Sequence, residues 1–182
     1  PRYLMVNTGN ANAGTGTRGI NDAEATCAKI GELTRVNPSR VLPFSTGVIG
    51  EHLPIKLIMD ALPSAIEALD QDGWEAAASA ILTTDTRPKA SSKRFAMPVS
   101  EDSCSEPDIF TQEQITVTGI AKGSGMIRPN MATMLSFIAT DASIDNELLH
   151  MALTRAANKS FHRITVDGDT STNDAVVLIA TG

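Results

Sequence analysis

An α+β fold follows from two features of the hydrophobic patterning. Apolar residues recur with a helical period in some stretches and with a period of two in others. The two kinds of stretch are mixed without the regular strand–helix alternation of a doubly wound sheet. The chain has 182 residues, 42% of them hydrophobic. That fits one ordinary domain or two small ones and is enough to bury a sizeable core. Only 4% of residues are aromatic, so Ala, Val, Ile, Leu and Met must carry that core.

In chain order, residues 3–7 read as a buried strand and the small-residue stretch 8–19 as loop. Asn21 with Glu24 three positions on resembles a capping box. Ile20, Ala23, Cys27, Ile30 and Leu33 then recur at helical spacing, predicting a helix over 22–36. Asn37-Pro38-Ser39 ends it. Residues 41–45 read as a short strand. Pro54 suits a first helical position, and Ile55, Ile58, Ala61 and Leu62 follow on one face until Pro63 kinks or splits the helix. Residues 73–80 read as helix and 81–84 as a strand entry. The polar stretch 87–114, with Pro88, Pro98 and Pro107, reads as irregular with room for one edge strand. Ile115, Val117 and Ile120 alternate along a strand over 114–121. Residues 122–125 read as a tight turn, 134–139 as a strand, 145–160 as a helix, 164–166 as a short strand and 175–180 as a buried element.

Residues 3–7 start with almost no lead-in and 175–180 stop two residues short of the end, so we expect residues 1–182 to be one domain cut from a longer chain. Lys plus Arg total 15 and Asp plus Glu 21, a formal net charge of −6. With no basic run, nucleic acid and anionic membrane are not expected partners. The longest apolar run, 175–180, is far short of the about 20 residues a spanning helix needs, and no secretory apolar segment stands at the start. Two cysteines, Cys27 and Cys104, make neither a disulfide framework nor a four-ligand zinc site, and reduced thiols of a cytosolic protein are the simpler reading.

Several motifs compete. Gly14-Thr15-Gly16-Thr17-Arg18-Gly19 matches G-x-G-x-x-G before a helix, the pattern of a nucleotide-binding module. Residues 8–13 nevertheless separate it from the strand, and no acid stands near position 39. The oxygen-rich run 167–174 lacks the Gly and Glu positions of an EF-hand and reads as a polar turn. His52, His150 and His162 show no metal-binding spacing, and no metal or cofactor is expected. Ser45-Thr46-Gly47-Val48-Ile49-Gly50 is a glycine turn after a strand. Lys122 to Leu135 runs from a glycine turn through Arg128-Pro129-Asn130 to Thr133. A Thr there is either a β-branched residue at a strand start or a nucleophile. A Thr hydroxyl needs an adjacent base, which an N-terminal α-amine supplies once the preceding bond is cut. Composition and spacing do not choose between the two.

The stretch from Lys122 to Leu135 resembles the self-cleavage motif of the ornithine acetyltransferase family, the glutamate N-acetyltransferases of arginine biosynthesis. Residues 9–16, 45–50, 83–86 and 166–174 match the family in the same order. The resemblance implies a layered α/β sandwich similar to N-terminal-nucleophile hydrolases but of the distinct ornithine-acetyltransferase topology, with this chain spanning the end of the α chain and the start of the β chain. It implies self-cleavage between Ala132 and Thr133, with Thr133 as nucleophile. Thr46 and Gly47 would form the oxyanion hole, and Thr83 and Lys122 would bind substrate. The substrates would be N-acetylornithine and glutamate, with acetyl-CoA a second possible donor. Two α and two β chains would assemble in the cytoplasm. Further substrate-binding residues would lie beyond residue 182. A hydrolase using the same acyl-enzyme, or a non-catalytic fragment, are the alternatives.

Overall fold

A computed structural model describes residues 1–97, 113–128, 131–132 and 134–182. Two parallel strands, β1 (Tyr3–Asn10) and β2 (Val41–Val48), are joined through helix α1 (Gly16–Thr34) and pair from Tyr3↔Val41 to Asn10↔Val48. Helices α2 (Ile55–Glu67) and α3 (Trp74–Ala80) follow. A second sheet has the order β3-β4-β7-β8. It comprises β3 (Lys89–Met97), β4 (Glu113–Lys122), β7 (Leu135–Thr140) and β8 (Ala175–Ala180), with α4 (Asn146–Lys159) before β8. β4 lies antiparallel to both β3 and β7, whereas β8 runs parallel to β7. Between β4 and β7, the short strands β5 (Ile127–Arg128) and β6 (Met131–Ala132) pair antiparallel.

Alternation along the strands explains the layering. Tyr3 and Met5 of β1 and Val41 of β2 face the helices, packing with Cys27, Ile30, Ile58 and Leu62. Leu4, Val6 and Phe44 face the other way, onto Ile120, Leu135 and Phe137 of the second sheet, with Ala78 and Ile81 closing the cluster. Phe44 meets Phe137 edge-on, ring centroids 5.1 Å apart at 83°, the arrangement the ring quadrupoles favour. The opposite face of the second sheet packs Met134, Ala121 and Val176 against Phe161, just after α4. Two sheets face to face, with α1 and α2 outside one, α4 against the other and α3 closing the seam between them, make the layered α/β sandwich expected of the family.

Several elements differ from the sequence expectation. β2 runs on to Val48, so residues 45–48 are strand and not a glycine turn, and the β5–β6 pair is not expected from the sequence. β1 continues to Asn10 and α1 begins at Gly16, so only a short turn separates them and the first unit is a βαβ crossover. The turn is held by side chains: Thr15 Oγ1 donates to Asn12 Oδ1 at 2.9 Å, and Asn12 Nδ2 donates to the Gly19 carbonyl at 2.9 Å. Asn21 therefore lies inside the helix and forms no capping box. Pro63 does not split α2, which runs through it; Pro63 is exposed, where water can satisfy the carbonyl it leaves unpaired. Residues 81–84 form no strand, because Ile81 closes α3 and the core while the threonines turn to the site described below. Residues 164–166 form no strand either, although Val166 N–H donates to the Ile127 carbonyl at 3.0 Å.

The edge strand expected within 87–114 is β3. Helix α4 starts where expected, with Asp145 Oδ1 accepting from Glu147 and Leu148 N–H at 2.9 Å, a side-chain N-cap.

Candidate functional site

Where the seam between the sheets ends, its side chains turn polar. Val6 of β1 is followed two residues on by Thr8, Phe44 of β2 by Thr46, and Ile120 of β4 by Lys122. A period of two keeps each polar residue on its apolar neighbour's face. Thr8, Thr46 and Lys122 line a cavity of about 750 Å³, with Gly47, Thr83 and Ser124 also on its wall.

Lys122 organises this site. It is 4% exposed, and a buried ammonium is tolerated only with hydrogen-bonding partners and counter-charge. Its Nζ donates to Thr46 Oγ1 and to Thr83 Oγ1, each at 2.9 Å. Burial lowers the Lys122 pKa, and Lys89 adds to the lowering, while Asp85 and Asp174 oppose it. Asp85 has a fully buried side chain. Its Oδ1 accepts from Gly123 N–H at 2.7 Å and from Lys89 Nζ. Burial alone would raise its pKa, but those hydrogen bonds and the charges of Lys89 and Lys122 hold the carboxyl below its ordinary value. Asp174 goes the other way: burial pushes it up, against the Met134 N–H, the nearby Ser171 hydroxyl and Lys122.

Because Lys122 donates to the two threonine oxygens, each hydroxyl proton is free to point elsewhere. Thr46 and Thr83 are therefore donors toward any group in the cavity, polarised by the ammonium behind them. Gly47 has φ +134°, and a side chain there would collide with the carbonyl of Gly9, its partner across the ladder. Only glycine allows that approach.

Four of the site residues expected from sequence thus come together: Thr46, Gly47, Thr83 and Lys122. Thr133 lies outside the described residues. Its neighbours are placed. The backbone of Ala132 pairs with Ile127, Met134 is buried, and Leu135 stands opposite Lys122 in the ladder. Thr84, the alternative to Thr83, shares a 2.6 Å hydrogen bond with Ser124 instead.

The polar run 167–174 behaves as a staple. Asp167 accepts from Met126 N–H at 2.7 Å and Ile127 N–H at 3.1 Å, which hold its pKa below the ordinary value. Asn173 Nδ2 donates to the Ser45 carbonyl and to the Ala11 carbonyl, the latter at 3.3 Å. Asp85, Asn173 and Asp174 lie in stretches that match the family, yet the sequence assigns them no role; the Asp85–Lys89 spacing of four is the available signal.

The remaining motifs stay outside the site. The Gly14–Gly19 turn is occupied by the Asn12 and Thr15 side chains. His162 Nδ1 lies 3.0 Å from Asn158 Oδ1. Cys27 is buried, and burial, then Glu24, raises its thiol pKa; Cys104 lies outside the described residues. Among the described residues no cluster of three or more His, Cys, Asp or Glu could hold a metal ion, and no helix is long and apolar enough to cross a membrane.

A layered α/β sandwich with a buried lysine and two threonines at one end of its inter-sheet seam is the class that fold and site define. The chain belongs to the ArgJ family, whose profile matches residues 1–182. It is 58% identical over 180 residues to the arginine biosynthesis bifunctional protein ArgJ of Methylococcus capsulatus, covering 99% of this chain and 41% of that protein. The protein of the same name from Pseudomonas fluorescens is 56% identical over 181 residues, covering all of this chain and 42% of that protein. The chain thus spans well under half the length of these relatives.

Among solved structures, the arginine biosynthesis bifunctional protein ArgJ of Bacillus halodurans is similar with a TM-score of 0.55 and 38% identity, covering 71% of this chain and 61% of that one. Ornithine acetyltransferase of Mycobacterium tuberculosis, solved with ornithine bound, gives a TM-score of 0.54 and 27% identity, covering 70% of this chain and 61% of that one.

Proposed function

We propose that the protein containing this chain is a self-processing glutamate N-acetyltransferase of arginine biosynthesis, with Thr133 as its nucleophile. In this reading residues 1–182 form one domain of a longer chain. Thr133 Oγ attacks the Ala132 carbonyl, the peptide nitrogen leaves as the new α-amine, and water hydrolyses the resulting ester. The freed amine then takes the proton from its own Oγ. Oγ attacks the acetyl carbonyl of N-acetylornithine, the amide C–N bond breaks, and the departing nitrogen takes the proton, so ornithine leaves and an acetyl-threonine ester remains. The amine of glutamate attacks that ester, giving N-acetylglutamate and restoring Thr133. Acetyl-CoA as a second donor, an assembly of two α and two β chains, and the cytoplasm belong to the same reading.

One observation carries it: the Lys122 ammonium donates to the hydroxyls of Thr46 and Thr83 at the cavity wall. That arrangement supports Thr46 as a preorganised donor to a developing oxyanion, with the Gly47 N–H beside it; losing one such donor typically costs about 100-fold or more in rate. An ammonium has three donors, so Lys122 retains one for a substrate carboxylate. Relatives named for arginine biosynthesis, and a structural neighbour holding ornithine, support the choice of substrates.

The test is N-acetylglutamate formation by the full-length protein from N-acetylornithine and glutamate, with acetate release followed in parallel. N-acetylglutamate in step with ornithine supports the transferase. Acetate alone would make the protein a hydrolase, and full activity in Thr133→Ala would end the mechanism.

A further inference from the structure

We propose that Asp174 is a positioning residue for the nucleophile, one half of a two-residue clamp with Asn173 that ties the backbone at Met134, the residue after Thr133, to the strand carrying Thr46 and Gly47. The proposal rests on the reading of Thr133 given above.

Asp174 Oδ1 accepts from the Met134 N–H at 2.8 Å, and the next residue, Ala175, donates its own N–H to the Met134 carbonyl at 3.0 Å. Both backbone groups of the residue after Thr133 are therefore held by consecutive residues at the start of β8. The Met134 nitrogen belongs to the same planar peptide unit as the Thr133 Cα. Holding that N–H constrains the peptide unit that enters Met134. One residue earlier, Asn173 Nδ2 donates to the Ser45 carbonyl, immediately before Thr46 on β2. Asn173 and Asp174 together thus tie the strand carrying the oxyanion donors to the backbone carrying the nucleophile, across the gap between the two sheets.

An ordinary strand end would leave Met134 N–H to water. Here a carboxylate holds it, in a charge-assisted bond stronger than a neutral one. The arrangement has a cost: Asp174 Oδ2 is buried with no hydrogen-bond partner among the described residues. A segment that must be held in register for reaction gains from the stronger grip. A displacement of about 1 Å at a reacting atom costs on the order of 100-fold in rate.

The test uses the full-length protein as wild type, Asp174→Ala, Asp174→Asn and Thr133→Ala. Chain cleavage is followed by intact mass, and transfer by kcat and KM for N-acetylornithine. Asp174→Ala should cleave about 10-fold or more slowly and lose about 10- to 100-fold in kcat, with KM within about 2-fold. Asp174→Asn keeps an oxygen acceptor for Met134 and should recover most of both. If Asp174→Ala yields no folded chain, Asp174→Ser, too short to reach Met134, stands in its place.

Wild-type cleavage and kcat in the truncated variant would overturn the proposal, as would a folded Asp174→Asn no better than Asp174→Ala. These outcomes overturn the clamp alone when Thr133→Ala is uncut and inactive. A Thr133→Ala chain as active as wild type overturns the nucleophile reading, and the clamp with it.

Discussion

The apolar seam and the polar cavity are built by the same strands, yet they are held by opposite means. In the seam, Phe44, Ile120, Leu135 and Phe137 need only be apolar and of suitable size, and each contributes by leaving water. Two residues further along β2 and β4, Thr46 and Lys122 are just as buried. They persist because the ammonium donates to two hydroxyls, and because Asp85 Oδ1 beside it accepts from a backbone N–H and from Lys89, although Asp85 Oδ2 is buried with no partner among the described residues. Damage to the seam should therefore appear as lost stability, and damage to the cavity as lost chemistry.

The sharpest break in that contrast comes from Phe137→Ala. It removes the ring that meets Phe44 and should cost about 3–5 kcal/mol, measured by urea unfolding, while KM of the surviving folded enzyme stays near wild type. Thr46→Ala should do the reverse. We expect about a 100-fold loss of kcat with a smaller change in unfolding midpoint, and Thr46→Ser, which keeps the hydroxyl, should regain most of the rate.

Acid sharpens the comparison further. The Asp85 carboxyl is held below its ordinary value, so the folded state binds fewer protons than the unfolded one. Asp85 contributes stability above the unfolded carboxylate value, about 3.9, and that contribution is lost as pH falls through the lowered folded value. The raised Asp174 acts oppositely, its contribution falling as pH rises from the unfolded value through the raised one. Thermal unfolding against pH should thus drop more steeply below about pH 4 in wild type than in Asp85→Asn. The smallest effect belongs to neither region. Breaking the exposed Lys56–Asp60 pair on α2 with Lys56→Ala should change stability by about 0.5 kcal/mol or less.

What the sequence disclosed follows the same division. Alternating and helical apolar patterns are local, and they located most strands and helices, including α4, whereas β3 lay in a polar stretch that allowed only for an edge strand somewhere within it. The βαβ opening was missed because Gly14, Thr15 and Gly16 have weak helix propensity; the start of α1 is set by the Asn12–Gly19 and Thr15–Asn12 contacts. The cavity was not readable from periodicity, since Lys122 meets Thr46 across 76 positions and Thr83 across 39. Only the resemblance to a family selected those residues. Asp85 and Asp174 escaped even that, because an acid holding a backbone N–H looks in sequence like any polar loop residue.

The most direct measurement is denaturing intact mass of the full-length wild-type protein beside its Thr133→Ala variant. The account predicts two fragments from the wild type, the second beginning at Thr133, and one uncut chain from the variant. A single uncut wild-type chain would contradict it, because no N-terminal amine would then exist to activate the threonine.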